Sequence, residues 1–384
     1  MKTVLFGDHS SPHVHRWVEF LEAAGTEVVV IGYGEGQAPD NYAYRRLISR
    51  SAMVGSSWGK FRSFIADLFL IRKENPDFVC VHFLTARYAL LTLLLFRPCI
   101  LTCWGSDILV DLPASRGLGF ALRRAALARA ARITCDSDEV FRAIASASPA
   151  AAGKTQLIFW GIDTRFFRPP EPERRAGLVL REALGIPADA ALLLSNRLAA
   201  PNYRIKEIIE RFVAGVRDEG THLLVRLQPG ADHGYVRSCK AVGAGNERIH
   251  YLERPLADAE MPALYAACDM VLHFPRSDAT PVSMLEALAS GCAVLCSDSM
   301  DAYRVLADDY RITRLPLESL DDAAVGAALA LRSRYAAPNA RAVRRLHSRE
   351  KTVGELRSMI EGLVPRPAER GRPRGRPGRQ GSDA

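Results

Sequence analysis

A short segment in the second half of the chain has the residues of a helix start that could bind a phosphate. Thr280 is followed by Pro281, and an apolar run with helical spacing begins at Val282. Threonine is a common N-cap, and proline suits the first helical position because the amide it lacks would have no partner there. The amides of Val282 and Ser283 would then point out of the helix end, where the helix dipole favours an anion. The segment therefore predicts a phosphate-binding helix start.

Two carboxylates bracket this predicted anion site. Asp278 precedes it, and Glu286 lies eight residues farther on, inside the predicted helix. Carboxylates in these positions could each accept hydrogen bonds from the hydroxyl groups of a nucleotide sugar. A capped helix with two solvated acids explains the same residues, so this motif alone leaves both interpretations open.

Two basic residues that precede this segment in the chain form a second candidate cluster. Arg197 follows the apolar run 192–194, and Lys206 opens the next predicted helix. Arginine can grip a phosphate with a bidentate fork, whereas lysine acts as a compact point charge. Each residue alone is more often a surface cation. Together with a helix-end anion site, the two predict a clamp for a diphosphate.

Short β-branched runs alternate with helical stretches through almost the whole chain, a pattern typical of βαβ units on a parallel sheet. The alternation stops at the proline-rich, charged stretch 167–173 and then restarts, which indicates a linker. The sequence predicts an α/β protein of two doubly wound, Rossmann-like domains facing each other across a cleft. The expected ranges are an acceptor-side domain 1–168, a second domain 176–345, a C-terminal helix 346–364 that packs back toward the first domain, and a disordered basic tail 365–384.

The composition is that of an ordinary globular protein. The chain has 384 residues, of which 48% are hydrophobic and 24% charged, and this excludes wholesale disorder. No apolar stretch reaches the roughly 18–20 residues that span a bilayer, and the N-terminus lacks a signal-peptide core. The eight cysteines include no Cys-x-x-Cys pair, so neither a disulfide framework nor a structural zinc site is expected. These features predict a soluble, cytoplasmic protein.

Positive charge is concentrated in two segments. The net charge is +8, and the tail 365–384 carries six arginines against two acids. The segment 44–64 has five basic and four aromatic residues but no acid, a mixture that suits an anionic membrane surface. A solvated loop with a few buried aromatics is the alternative interpretation of this segment. The tail is expected to solubilise the protein or to tether it to the membrane. Nucleic-acid binding is not expected, because the tail has no interleaved aromatic residues.

In its motifs and their order, the chain resembles the retaining family 4 glycosyltransferases over about residues 1–360. The segment 277–291 is similar to the family's Glu-x7-Glu signature, with Asp278 in the first acidic position. Arg197 and Lys206 look like the family's diphosphate-binding pair. Further resemblances are those of 160–169 to the family's Asn-Gly-Val-Asp…Phe-x-Pro segment, of 104–107 to its His-Gly-x-Asp turn, and of 11–28 to its first helix and second strand.

The resemblance implies a glycosyltransferase-B fold, with the acceptor on the N-terminal domain and the nucleotide sugar on the C-terminal one. Glu286 would bind the ribose hydroxyls, Asp278 the donor sugar, and Arg197 and Lys206 the diphosphate. No cofactor or metal is expected, since protein cations would stabilise the charge that develops on the leaving nucleoside diphosphate. Retention would follow from an oxocarbenium-like state in which the departing phosphate accepts the proton of the acceptor. The expected donor-binding set is Arg197, Lys206, Asp278, Thr280, Pro281, Val282, Ser283 and Glu286.

The chain departs from the family in its N-terminal half. Trp104 stands where the family commonly has histidine, although Asp107 of the same motif is retained. His82, which ends a predicted strand, is the nearest replacement, but a histidine there is more often a structural hydrogen-bonder. The expected catalytic residues are Asp107, His82 and Asp278.

The turn before the first helix also differs from the family, because it lacks the usual glycine pair. Ser10 or Ser11 could serve there as the N-cap of the helix. The amides of this turn would still face the cleft, where contact with an acceptor is possible. The expected acceptor-binding residues are Ser10, Ser11, His13, Trp104 and Asp107.

Three weaker patterns have ordinary explanations. Asp136-Ser137-Asp138 is similar to the metal-binding Asp-x-Asp motif of a different glycosyltransferase fold, but its place between a strand and a helix favours helix capping. His13 and His15 do not share a helix face, so zinc is not expected. The glycine-rich stretch 32–36 ends a strand without a helix following directly, which indicates a loop.

The sequence thus predicts a retaining glycosyltransferase that uses a UDP- or GDP-sugar. The acceptor is expected to be a glycan or a lipid-linked intermediate at the cytoplasmic face of a membrane. Two alternatives remain at this point. A sugar-nucleotide 2-epimerase shares the fold, and a partner subunit could keep the nucleotide site while the tryptophan at position 104 has removed catalysis.

Overall fold

The computed structural model describes residues 1–34, 42, 44–51, 57–169, 172–227, 232–278 and 280–363. The predicted tail 365–384 lies outside the described residues. So do parts of the glycine-rich stretch 32–36, of the basic and aromatic segment 44–64 and of the linker 167–173. Within the described residues, no helix is both long and apolar enough to cross a bilayer.

The N-terminal half is built on a seven-stranded sheet in which every strand pair is parallel. The strand order is β3-β2-β1-β4-β5-β6-β7, so the chain winds outward from β1 in both directions. The central strands are buried, since helices cover both faces of such a sheet. The strands are β1 (Lys2–Gly7), β2 (Glu27–Gly34), β3 (Leu47–Ser51), β4 (Phe78–His82), β5 (Cys99–Thr102), β6 (Arg132–Cys135) and β7 (Thr155–Leu157).

The helices of this half follow the strands as the sequence predicts, with one difference in the segment 44–64. That segment holds an edge strand, β3, and the beginning of a long helix, where a solvated loop was one of the two interpretations of the sequence. Strand β3 lies at the edge of the sheet, and its polar residues obscure the alternation of apolar and polar side chains that would indicate a strand. The helices are α1 (Pro12–Ala23), α2 (Ser57–Glu74), α3 (Ala86–Leu94), α4 (Leu112–Ala114), α5 (Gly117–Arg129), α6 (Asp138–Ala147) and α7 (Pro149–Ala152).

The C-terminal half repeats the architecture with a six-stranded parallel sheet of order β10-β9-β8-β11-β12-β13. The predicted fold class of two doubly wound, parallel-sheet domains is confirmed. Helix α8 begins at Pro172, so the proline-rich stretch runs directly into a helix. The elements are β8 (Ala191–Ser195), β9 (Thr221–Arg226), β10 (Ile249–Leu252), β11 (Met270–His273), β12 (Ala293–Ser297), β13 (Thr313–Leu315), α8 (Pro172–Ala183), α9 (Ile205–Gly215), α10 (His233–Gly243), α11 (Met261–Ala267), α12 (Val282–Ala289), α13 (Asp301–Asp309) and α14 (Asp322–Leu346).

A final helix, α15 (Arg349–Glu361), lies against the N-terminal half of the molecule. Its apolar side chains, Leu356 and Ile360 among them, are buried in one core with Trp17 of α1. Gly161 permits the start of α15 to approach the backbone closely at this point, because a Cβ atom at position 161 would lie 2.7 Å from the Cα of Arg349. The domain bounds 1–168, 176–345 and 346–364 themselves stay predictions.

Candidate functional site

The start of α12 differs from its predicted form. Pro281, with φ −77° and ψ 115°, is the N-cap, and the helix begins one residue later than expected, at Val282. The expectation that Thr280 caps the helix is therefore wrong. Its hydroxyl instead donates a hydrogen bond of 2.8 Å to the backbone carbonyl of Asp136, in the N-terminal half. The amides of Val282 and Ser283 still lie in the first turn, where a helix has no carbonyl of its own for them.

Arg197, which follows β8, lies directly at this helix start. Its guanidinium donates one hydrogen bond of 3.0 Å to Asp278 and another of 3.3 Å to the Ser283 hydroxyl. It also stacks over the Tyr203 ring, 4.4 Å from the ring centroid. Burial works against the charge, but Asp278, Tyr203 and Tyr303 together outweigh it and raise the pKa of Arg197. The structure thus fixes a permanent cation beside the first amides of α12.

Asp278 is held from two sides. Besides Arg197, the Tyr303 hydroxyl donates a hydrogen bond of 2.8 Å to its second oxygen. Two donors on opposite oxygens fix the plane of the carboxylate, so its orientation is set before any ligand arrives. Sequence reasoning missed Tyr303, because it lies 25 residues farther along the chain on α13.

Glu286 is buried and joins the two halves of the molecule. One of its oxygens accepts a hydrogen bond of 3.0 Å from the Tyr265 hydroxyl, and that hydroxyl accepts one of 2.8 Å from the Asn196 amide. The other oxygen lies 2.7 Å from a guanidinium nitrogen of Arg16, on α1. The predicted ribose-binding carboxylate is thus already paired with a cation of the opposite half. No sequence pattern indicates this pairing, which spans 270 residues.

Lys206 does not join the Arg197 cluster in this structure. It lies in the first turn of α9, and its ammonium is 3.5 Å from Glu210, one turn farther along the helix. The side chain is partly exposed, so a different rotamer is open to it. The predicted convergence of Arg197 and Lys206 stays a prediction.

Facing this donor side, the N-terminal half presents a wall of aromatic rings. The His13 ring contacts two indoles. Its centroid lies 5.2 Å from that of Trp104 and 4.9 Å from that of Trp160. The indole nitrogen of Trp104 donates a hydrogen bond of 3.3 Å to Nδ1 of His82. Trp160 and His82 are buried, so His13 and Trp104 are the rings of this group that a ligand could contact.

Both imidazoles in this wall are neutral near pH 7. Burial, together with the nearby imidazole of His13, lowers the pKa of His82 to about 3. Burial, Arg16 and Arg197 lower the pKa of His13 to about 4. His82 lies completely buried beneath Trp104 and orients its indole. This geometry gives His82 a positioning role, and its predicted catalytic role is not tested.

Asp107 is also fully buried, in the turn after β5. Its carboxylate accepts hydrogen bonds of 2.8 Å, 3.0 Å and 3.1 Å from the backbone amides of Leu84, Trp104 and Gly105. Burial raises its pKa, and these amides act against that rise. Asp107 therefore ties the loop after β4 to the Trp104 turn, and these contacts position Trp104. Its predicted contacts with reacting groups stay a prediction.

The predicted serine cap of the first helix is confirmed for one of the two candidates. Ser11 is the N-cap of α1, and its hydroxyl accepts a hydrogen bond of 3.2 Å from the amide of His13. Ser10 instead donates its hydroxyl to Asp8, at 2.7 Å. Neither contact tests the predicted acceptor binding by Ser10, Ser11 and His13.

The Asp136-Ser137-Asp138 stretch caps a helix, as predicted. The Ser137 hydroxyl is the N-cap of α6 and accepts a hydrogen bond of 3.3 Å from the amide of Val140. Asp136, however, is a buried acid at the boundary between the two halves. Burial, followed by the negative charge of Asp278, raises its pKa to about 8. Sequence reasoning missed the buried position of Asp136 at this boundary, because helix capping by its neighbour Ser137 already explains the motif.

Two family models match the chain and together span more than half of it. A glycosyl transferase 4-like model matches residues 2–137, and a glycosyl transferase-like model matches residues 224–358. The chain belongs to the family 4 glycosyltransferases. No curated protein is significantly similar to it in sequence.

Solved structures show that this glycosyltransferase has the glycosyltransferase-B fold. HepE of Anabaena in complex with UDP and glucose is 15% identical, with a TM-score of 0.75 over 94% of this chain and 100% of that one. Sucrose-phosphate synthase of Thermosynechococcus elongatus is 15% identical, with a TM-score of 0.72 over 94% and 99%. A glycosyltransferase of Rickettsia africae is 12% identical, with a TM-score of 0.73 over 95% and 98%. At these identities the likeness establishes the fold alone.

Two further predictions concern the cysteines of this glycosyltransferase and its ability to bind a metal ion. All eight cysteines are free and buried. Among the described residues, no group of three or more His, Cys, Asp or Glu side chains could hold a metal ion. The expectation that catalysis needs no metal or cofactor stays a prediction.

Proposed function

We propose that this glycosyltransferase transfers a sugar, with retention, from a UDP- or GDP-sugar to a hydroxyl group of a glycan or lipid-linked acceptor. One observation carries the proposal. Arg197, half-buried and fixed by Asp278 and by Ser283, lies at the N-terminus of α12, so a cation and the first-turn amides of the helix converge on one point. A diphosphate is the ligand that this combination of charge and donors fits best.

The same arrangement explains how departure of the nucleotide would be assisted. As the glycosidic bond to the diphosphate breaks, negative charge grows on the leaving phosphate. Arg197 and the amides of Val282 and Ser283 are oriented before the reaction, so they stabilise that charge without reorganising. Lys206 would add a second cation once its side chain leaves Glu210.

The two carboxylates would position the rest of the donor. Glu286 would accept hydrogen bonds from the ribose hydroxyls in place of Arg16, and Asp278 would bind the transferred sugar. Retention would arise because the departing phosphate accepts the acceptor's proton on the face that it leaves. The acceptor would approach along the aromatic wall of His13 and Trp104, with Asp107 holding the Trp104 turn in place.

The experiment that tests the donor site is a thermal-shift and calorimetric panel with UDP, GDP, ADP and their common sugars. A nucleotide at about 100 times its dissociation constant should stabilise the protein by roughly 2.7 kcal/mol. The Arg197→Ala variant should lose this stabilisation. Arg276→Ala is the matched control, since Arg276 is an exposed arginine nearby that pairs with Glu207.

Outcomes of this panel and of a turnover assay separate the proposal from its alternatives. Binding to none of the nucleotides, or equal binding by wild type and Arg197→Ala, would refute the donor site. Epimerisation of the sugar nucleotide without any acceptor would favour the 2-epimerase. Nucleotide binding without turnover, until another chain is added, would favour a partner subunit. NMR of the product anomer decides between retention and inversion.

We also propose that helix α2 contacts the cytoplasmic face of an anionic membrane. Its aromatic residues Trp58, Phe61 and Phe69 are 67%, 54% and 70% exposed, and the helical spacing puts them within one narrow arc. Arg62 and Lys73 fall beside the same arc, so basic side chains flank an apolar face. Such a surface would bring the enzyme to a lipid-linked acceptor.

Liposome flotation tests this membrane contact. Vesicles with about 30% anionic lipid should carry the protein, neutral vesicles should carry much less of it, and high salt should release it. Replacing Trp58 and Phe61 together by serine should abolish flotation while nucleotide binding is kept. Equal flotation with neutral and anionic vesicles would contradict the proposal.

A further inference from the structure

Asp136 lies where the two halves of the molecule meet at the candidate site. It follows the last residue of β6, at the carboxyl edge of the N-terminal sheet, and precedes the N-cap of α6. Its backbone carbonyl accepts the hydrogen bond from Thr280, in the loop that leads into α12. That loop also carries Asp278. The backbone of Asp136 is therefore fixed against the donor side of the site.

The side chain of Asp136 has an unused hydrogen-bonding atom. Only 5% of the residue is exposed, and Oδ1 has no hydrogen-bond partner among the described residues. The nearby Trp160 side chain lowers the pKa of the carboxyl group, against the larger effects of burial and of Asp278, which raise it. A buried polar atom without a partner is costly, so its presence in a folded protein needs an explanation.

The neighbouring carboxylates show what is unusual about this one. Asp278 is held by Arg197 and Tyr303, and Glu286 by Arg16 and Tyr265. Protein donors thus orient the acids that the sequence had predicted to bind a nucleotide sugar. Asp136 keeps one oxygen for a donor or acceptor that none of the described residues supplies.

We propose that the carboxyl group of Asp136 binds a hydroxyl group of the transferred sugar and helps to determine which sugar is accepted. This inference rests on the proposed donor site and extends it to the N-terminal half. The position beside Asp278, the burial and the unpaired Oδ1 all favour a ligand on the sugar side of the diphosphate. A nucleoside diphosphate without the sugar would not reach Asp136.

The electrostatic surroundings give this carboxyl group a further property. The titratable groups that face it are acidic: Asp278 before α12, Asp107 after β5, and the thiols of Cys103 and Cys135. With its pKa raised to about 8 by burial and by Asp278, Asp136 is mostly protonated at pH 7. A neutral carboxyl group donates through its O–H and accepts through its carbonyl oxygen, which matches a sugar hydroxyl on both counts.

The test compares affinities for a nucleotide and for its sugar. Calorimetry gives the dissociation constants of UDP and of UDP-glucose, or of the base and sugar that the wild type binds best in the panel above. Asp136→Ala should leave the UDP constant within twofold and weaken nucleotide-sugar binding about tenfold. Asp136→Asn, a neutral side chain of the same shape, should lose less. Asp138→Asn, an exposed acid in the same turn, is the matched control and should change neither constant.

The pH dependence supplies a second readout that does not depend on how well the alanine variant folds. Between pH 7 and pH 9, the wild type should lose affinity for the nucleotide sugar relative to UDP, because deprotonation removes the O–H donor. Asp136→Asn should show a flat ratio. Equal effects on UDP and on the sugar nucleotide, or no effect on either, would overturn the role of Asp136 while leaving the donor site standing. Failure of the wild type to bind any nucleotide would overturn both.

Discussion

The ion pair between Arg16 and Glu286 should oppose nucleotide binding, and its removal should be measurable. In the structure a guanidinium nitrogen of Arg16 lies 2.7 Å from the Glu286 carboxylate, to which the ribose hydroxyls are proposed to bind. A nucleotide bound in that way would have to displace this guanidinium. Arg16→Met keeps most of the aliphatic stem of the side chain and removes only the charge and its hydrogen bonds.

The size of the effect follows from the burial of the two partners. The Glu286 side chain is 6% exposed and that of Arg16 is 28% exposed. An exposed pair contributes up to about 1 kcal/mol, and breaking a fully buried pair costs about 3–5 kcal/mol. Because Glu286 keeps the hydrogen bond from Tyr265, we expect a loss of roughly 1–2 kcal/mol in the free energy of unfolding. The unliganded state alone bears this loss, so the nucleotide should bind about tenfold more tightly, the factor that corresponds to 1.4 kcal/mol.

Two measurements on one variant test this reasoning. The melting temperature of Arg16→Met should fall by several degrees, while its dissociation constant for the nucleotide, measured by calorimetry, should decrease. Arg45→Met is the control, since Arg45 pairs with Glu22 at 3.4 Å on the exposed surface and should change little. Weaker nucleotide binding by Arg16→Met would refute the competition and show that Arg16 itself binds the nucleotide.

Three further variants test the contacts that fix side chains and loops of the candidate site before a ligand binds. Asp107→Ala leaves three backbone amides without their acceptor and should lower the free energy of unfolding by about 3 kcal/mol in urea titrations, with nucleotide affinity unchanged. Tyr303→Phe removes a hydrogen bond to Asp278 and should weaken nucleotide-sugar binding several-fold in calorimetry while UDP binding is kept. The lowered pKa values of His82 and His13 mean that the unfolded chain takes up protons below pH 6.5 that the folded protein refuses. The melting temperature should therefore fall as the pH drops from 6.5 toward 4, and His82→Gln should show a shallower fall.

Much of the fold could be predicted because its signals are local. Alternating strand and helix patterns identified most strands of both sheets, and parallel pairing followed from the helices between them. Two of the misses lie where the local signal is weak. Strand β3 lies at a sheet edge and carries mixed polarity, and helix α8 begins with the proline that was interpreted as part of a linker. In both places, packing against neighbouring elements decides a structure for which the local residues give a weak signal.

The candidate site divides in the same way. The placement of Arg197 after a strand, of Asp278 before a helix and of Glu286 inside that helix was predictable from local patterns. The capping role of Thr280 was wrong because the alternative partner of its hydroxyl, the carbonyl of Asp136, is 144 residues away. No spacing rule relates residues that meet only when two domains face each other.

Two of the contacts between the halves bear on different parts of a donor molecule. The Arg16–Glu286 pair lies where the ribose is proposed to bind, and the Thr280–Asp136 contact lies beside Asp278, where the sugar is proposed to bind. UDP alone would have to displace only Arg16, whereas a sugar nucleotide would also meet Asp136. Changes at Arg16 should therefore shift the affinities for UDP and for its sugar by the same factor, while changes at Asp136 should alter their ratio. Because the two predictions concern different quantities, one set of titrations can support either of them without the other.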